Sequence, residues 1–178
     1  MRFQDGDIIL EKVNDFGAWY NWVLANGIQF FDGVYYHHAL IAFDNYLYEA
    51  QQKVVVSEPS RLNGSEVLVL RLRDSLTDKE RFLFERELFR SLGKKYDYTG
   101  TLFFQLLHIF CFRRIWLGRT NKKARRRYYC TELVADLTNK VRGYFPEPWK
   151  TGPSTIMKLA PLYYTVVYEG KYENYTGK

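Results

Sequence analysis

Apolar and polar positions along this chain follow two periods, and the order in which they appear sketches a fold. Alternating or β-branched runs at residues 7–12, 37–43 and 46–50 read as strands, with Asp44-Asn45 between the second and third. Asp and Asn tolerate left-handed backbone, so this pair predicts a two-residue turn and a β-hairpin. Further strands are expected near residues 53–57, 66–72 and 163–168. Helical spacing occurs near residues 16–25, closed by Gly27, and again after Thr77-Asp-Lys-Glu80, which has the form of a capping box. Phe82, Leu88, Phe89 and Leu92 supply the apolar spacing of that second helix, and Gly93 closes it. A third helix is expected from Thr131 to about Lys140, with Leu133, Val134 and Leu137 on one face, and a short fourth after Ser154. The apolar stretch 102–112 is too short to cross a bilayer and reads as a packed or surface-lying helix. Strands without regular βαβ alternation predict an α+β fold, a mostly antiparallel sheet with helices on one side.

The hairpin carries candidate chemistry. With Asp44-Asn45 as the loop, Phe43 faces Tyr46, Ala42 faces Leu47, Leu40 faces Glu49 and His38 faces Gln51. Side chains alternate between faces, so His38, Leu40, Leu47 and Glu49 share one face, and His38 and Glu49 are diagonal neighbours. His37 points to the other face. A carboxylate beside a histidine fixes its tautomer and stabilises the imidazolium, and Gln51 offers a weaker version of the same contact.

The partner such a histidine needs is a nucleophile, and Cys130 stands where an extended segment gives way to the third helix. A thiol at a helix N-terminus meets unpaired N–H groups and the positive end of the dipole, which favour thiolate over thiol; a free cysteine has a pKa of about 8.5. A buried structural cysteine is the plain alternative.

Taken together, Gly6-Asp-Ile-Ile-Leu10, His38-Ala-Leu-Ile, Tyr48-Glu49-Ala50, Gly93-Lys-Lys-Tyr96-Asp97-Tyr98 and Tyr129-Cys130-Thr-Glu-Leu-Val resemble the YiiX/YebB-like cysteine hydrolases, circularly permuted relatives of the NlpC-type, papain-like peptidases. Thr151-Gly-Pro-Ser-Thr extends the resemblance past the cysteine helix, so it spans nearly the whole chain. Its motif order, with His and Glu before Cys, is that of the permuted branch. The resemblance implies a permuted papain-like fold, a sheet or small barrel packed against helices. It also implies a catalytic set of Cys130 as nucleophile, His38 as base and Glu49 as orienting acid, with Tyr96 and Tyr129 beside the substrate. The hairpin face analysis pairs the same His38 and Glu49 independently.

At 178 residues and 47% hydrophobic content the chain can bury one core, and no Pro/Gly/Ser-rich linker divides it, so residues 1–178 read as a single domain. A basic and apolar insertion occupies about 101–127. Eight basic residues crowd positions 113–127, within a net charge of +6 from 26 basic and 20 acidic residues. Such a run is a solvated loop or attracts phosphates. The adjoining apolar segment favours an anionic membrane surface over nucleic acid, for which no module is recognisable. The two cysteines, Cys111 and Cys130, lack Cys-x-x-Cys spacing, which argues against a disulfide framework or a zinc site. His108 and Cys111 lie in the apolar stretch and read as packed side chains. No signal peptide or transmembrane segment is visible at sequence level, so a cytoplasmic protein, or one peripheral to a membrane, is the expectation.

The function expected is a cysteine hydrolase that cleaves an amide or isopeptide bond, as in a cell-wall peptide, through a thioester, with no metal and no cofactor. Two alternatives stay open. One is a lipid acyl hydrolase or acyltransferase at a membrane surface. The other is a catalytically idle module that docks on membrane or nucleic acid.

Overall fold

The computed structural model describes residues 2–12, 35–97 and 127–173. Six strands form one antiparallel sheet: β1 (Ile8–Lys12), β2 (His38–Phe43), β3 (Tyr46–Ala50), β4 (Val54–Ser57), β5 (Glu66–Leu72) and β8 (Tyr164–Lys171), in the order β4-β3-β2-β1-β5-β8. A separate two-residue parallel pair joins β6 (Lys95–Tyr96) to β7 (Arg127–Tyr128). The helices are α1 (Asp78–Ser91), α2 (Cys130–Val141) and α3 (Pro153–Tyr163), with single 3-10 turns at Pro59–Leu62 and Pro148–Lys150. The expected helix at 16–25, the apolar stretch 102–112 and the basic run up to 126 lie outside the described residues.

Both faces of the sheet are covered, which is why β1 reads Ile-Ile-Leu rather than alternating. One face carries Ile8, Leu10, Ala39, Ile41, Phe43, Tyr48, Leu68 and Leu70 against Phe84 and Leu88 of α1, Leu133, Val134 and Leu137 of α2, and Ile156 and Ala160 of α3. The other buries Ile9, Leu40, Ala42, Leu47, Val67 and Val69 under Phe3, Leu62 and Tyr172. Among the described residues the three α-helices thus occupy one side, as the sequence predicts.

The hairpin register is the expected one: Leu40 opposes Glu49, Ala42 opposes Leu47 and Phe43 opposes Tyr46. Asp44 and Asn45 take φ of 50° and 62°, the left-handed pair that a two-residue turn requires. α1 begins with the capping box, in which the Glu80 N–H donates to Thr77 Oγ1 (3.3 Å) and the Thr77 N–H donates to Glu80 Oε2 (2.8 Å). Gly93, at φ 74°, lies just past its end.

α2 starts one residue earlier than its apolar spacing suggests, at Cys130 itself, with Tyr129 extended at φ −97°, ψ 167°. Its inner face packs on β2 and β3 and against α1.

Candidate active site

Cys130 occupies the first position of α2, where the first N–H groups of a helix have no partner within it. Leu133, Val134 and Leu137 seat the helix on the sheet, so the sulfur is held at the start of β2, with Sγ 3.9 Å from the His37 carbonyl oxygen. His38 begins β2. From this end of the strand its ring reaches the Cys130 sulfur, although α2 packs on the opposite face of the sheet from Glu49.

His38 Nε2 and Glu49 Oε2 are 2.9 Å apart, the diagonal contact expected of the hairpin. With Nε2 so engaged, Nδ1 is the ring nitrogen left for sulfur. Burial disfavours the imidazolium, but hydrogen bonds and charge from Cys130 and Glu49 outweigh it and raise the His38 pKa to about 10. Glu49 is wholly buried. Burial pushes its carboxyl up, yet the His38 hydrogen bond and charge, Arg61 and Gln51 bring it down to about 2. Cys130 is 4% exposed while the His38 side chain keeps 14%, so solvent reaches the pair from the imidazole side.

The structure brings Cys130, His38 and Glu49 together. His37 brings its carbonyl oxygen to the sulfur. Tyr96 lies on β6, partly buried against the helix-side core, and its N–H donates to the Gln52 carbonyl (2.9 Å). Tyr129 directly precedes the sulfur, and its hydroxyl donates toward the carbonyls of Pro148 (3.3 Å) and Thr151 (3.5 Å), tying the helix start to the 3-10 turn.

Two further groups serve Glu49 and were not singled out from sequence. Ser57 Oγ donates to Glu49 Oε1 at 3.0 Å, and Arg61 Nε donates to the same oxygen at 2.7 Å. Arg61 Nη1 donates in turn to Glu11 Oε2 at 2.8 Å, and Ser65 Oγ donates to Glu11 Oε1 at 2.7 Å. The available signal was Glu11 itself, a carboxylate at the end of an apolar strand whose burial demands a cation.

With this geometry in place, the chain can be set beside known proteins. No family model matches it, and neither does any curated protein. Among solved structures it is similar to that of the metalloprotein YiiX from Escherichia coli O157:H7, DUF1105, with a TM-score of 0.67 and 16% identity over 95% of this chain and 98% of that one. The chain has a YiiX-like fold. At that identity the likeness to YiiX is one of architecture, a mixed antiparallel sheet and helices, and it spans both chains almost end to end. Among the described residues no helix is long and apolar enough to cross a membrane.

Proposed function

We propose that the chain is a cysteine hydrolase of the permuted papain-like kind, cleaving an amide or isopeptide bond through a thioester. What supports this reading is the His38 ring, 2.9 Å from the Glu49 carboxylate and close enough to Cys130 for its hydrogen bonding and charge to raise the ring's pKa. In the first half-reaction His38 accepts the thiol proton and sulfur attacks the carbonyl carbon. The imidazolium then protonates the leaving amine, and the C–N bond breaks to give amine and thioester. In the second, His38 takes a proton from water as its oxygen attacks the thioester, and returns it to sulfur as the acid departs. Glu49 holds the ring and stabilises its charged form in both halves. The Cys130 N–H at the helix start can supply one oxyanion donor, a contribution on the order of a hundredfold or more.

YiiX is described as a metalloprotein, which raises the question of a cation at these residues. Among the described residues no group of three or more His, Cys, Asp and Glu side chains converges on a point that would hold one. Glu49 has Arg61 and Ser57 on one oxygen and His38 on the other, so a metal there would have to compete with a guanidinium. These residues do not fit a metal.

The test is alkylation of the full chain with iodoacetamide at neutral pH, sites read by mass spectrometry, beside hydrolysis of peptide, isopeptide and lipid-ester substrates. Expected are selective labelling of Cys130 over Cys111, loss of that selectivity in His38→Ala, and loss of hydrolysis in a folded Cys130→Ala. Equal, slow labelling of both cysteines, or hydrolysis that survives Cys130→Ala, rejects the assignment. Turnover of the lipid ester alone transfers the same chemistry to an acyl-lipid substrate.

A further inference from the structure

His38 has two carboxylates within reach on its own face of the sheet. Glu49 is its diagonal neighbour on β3, and Glu11 is its direct partner across the β1–β2 ladder. Side chains directly opposed on adjacent strands approach more closely than diagonal ones, so Glu11 is by position the stronger competitor for the ring. The ring nevertheless pairs with Glu49. Arg61, on the turn Pro59–Leu62, touches both carboxylates: its Nε lies 2.7 Å from Glu49 Oε1 and its Nη1 lies 2.8 Å from Glu11 Oε2. Ser65 takes the other Glu11 oxygen at 2.7 Å.

We propose that Arg61 is a positioning residue that withdraws Glu11 from His38 and locks Glu49 in the orientation that anchors the ring. Resting on the Cys130–His38 reading above, the inference adds what decides which carboxylate orients the base. With Oε1 held by Arg61 and Ser57, the Glu49 carboxyl plane is fixed and Oε2 is presented to Nε2. With both Glu11 oxygens already held by Arg61 and Ser65, a bond from that carboxylate to the ring would have to compete with a guanidinium. Only a guanidinium supplies two diverging donors at these angles; a lysine ammonium is a single point charge on a flexible stem. The titratable and charged groups around the His38–Glu49 pair are Cys130 on α2, which acts on His38, Arg61 on the 3-10 turn and, through Arg61, Glu11 on β1.

The experiment is the pH profile of Cys130 alkylation in the full chain, measured well below each variant's melting temperature for wild type, His38→Ala, Arg61→Lys and Glu11→Gln. A residue that served the fold alone would change the melting temperature and leave the profile in place. Arg61→Lys keeps the charge and loses the fork, and it is expected to move the midpoint of the thiol–imidazole dyad upward by about one pH unit, with about tenfold slower labelling on the acid side. Glu11→Gln keeps an acceptor for Arg61 while weakening its hold, and a smaller shift in the same direction is expected. If Arg61→Lys is folded and its profile superimposes on wild type, the role of Arg61 is overturned. If that variant does not fold, Glu11→Gln decides by the same criterion. A His38→Ala profile identical to wild type overturns the dyad reading beneath the inference, and this separates the two failures.

Discussion

Glu132 lies two residues past Cys130, on the first turn of α2 and 8% exposed. Burial, then the charges of Asp97 and Asp136, push its carboxyl up to about 8, against the opposing hydrogen bond from the Tyr129 N–H. A carboxyl whose folded pKa is raised from 4.5 to about 8 costs nothing while protonated in both states, weakens the fold as pH climbs through that interval, and exerts its full penalty above it. Glu132→Gln keeps the acceptor for Tyr129 and removes the charge. Calorimetry should show little change at acid pH and a gain of several degrees in alkali, about 2–4 °C per kcal/mol for a chain of this size. An equal gain at both extremes would exclude ionisation as the cause. His38 has the opposite sense. Its pKa is raised from 6.5 to about 10, so its stabilisation is complete below the lower value and is lost as pH rises through the upper one. Melting curves of wild type and His38→Ala should therefore differ most in mild acid and converge toward pH 10. Glu49 closes the window from below: its contribution is present above 4.5 and fades as pH falls through about 2.

At the level of elements, the α1 cap is tied to the end of α2. Glu80 accepts from the Thr77 N–H and also from Arg142 Nε and Nη2, each at 2.8 Å, while Arg142 donates to the carbonyls of Asp74 and Ser75. Thr77→Ala removes one cap and is expected to cost about 1 kcal/mol. Glu80→Ala should cost more, because it also releases Arg142 from the loop before α1, and urea titrations of the two variants measure the difference. The local parts of this architecture were legible in sequence. Asp44-Asn45 set the hairpin register, and that register alone placed His38 beside Glu49. Thr77, Glu80 and Gly93 marked both ends of α1. Non-local parts were not. Arg61 sits in the polar stretch Pro-Ser-Arg-Leu-Asn-Gly-Ser, fifty positions from Glu11, and no period links the two. The β6–β7 pair is two residues long and carries no periodicity at all. Contact between His38 and Cys130 depends on α2 being seated at the end of β2, a tertiary placement that spacing along the chain does not encode.

For the molecule as a whole, the sheet buried on both faces means that the carboxylates Glu11 and Glu49 are enclosed together with Leu40, Leu47 and Val67, and their pairing with Arg61 is what makes that burial tolerable. The basic residues 113–126 carry a separate proposal, attraction to anionic surfaces. Replacing them with glutamine should reduce sedimentation with anionic vesicles, leave the weak association with neutral vesicles unchanged, and leave Cys130 alkylation at the wild-type rate. Unaltered sedimentation would remove the electrostatic part of the membrane idea. The alkylation half of that expectation rests on the short parallel ladder of Lys95 with Arg127 and Tyr96 with Tyr128, reinforced by the Asp97 N–H donating to the Tyr128 carbonyl at 3.0 Å. Both ends of residues 98–126 are pinned there, two positions upstream of the sulfur. For protein engineering this is a docking port: a reporter peptide or affinity handle spliced between those pins should ride on the protein without disturbing the surroundings of Cys130.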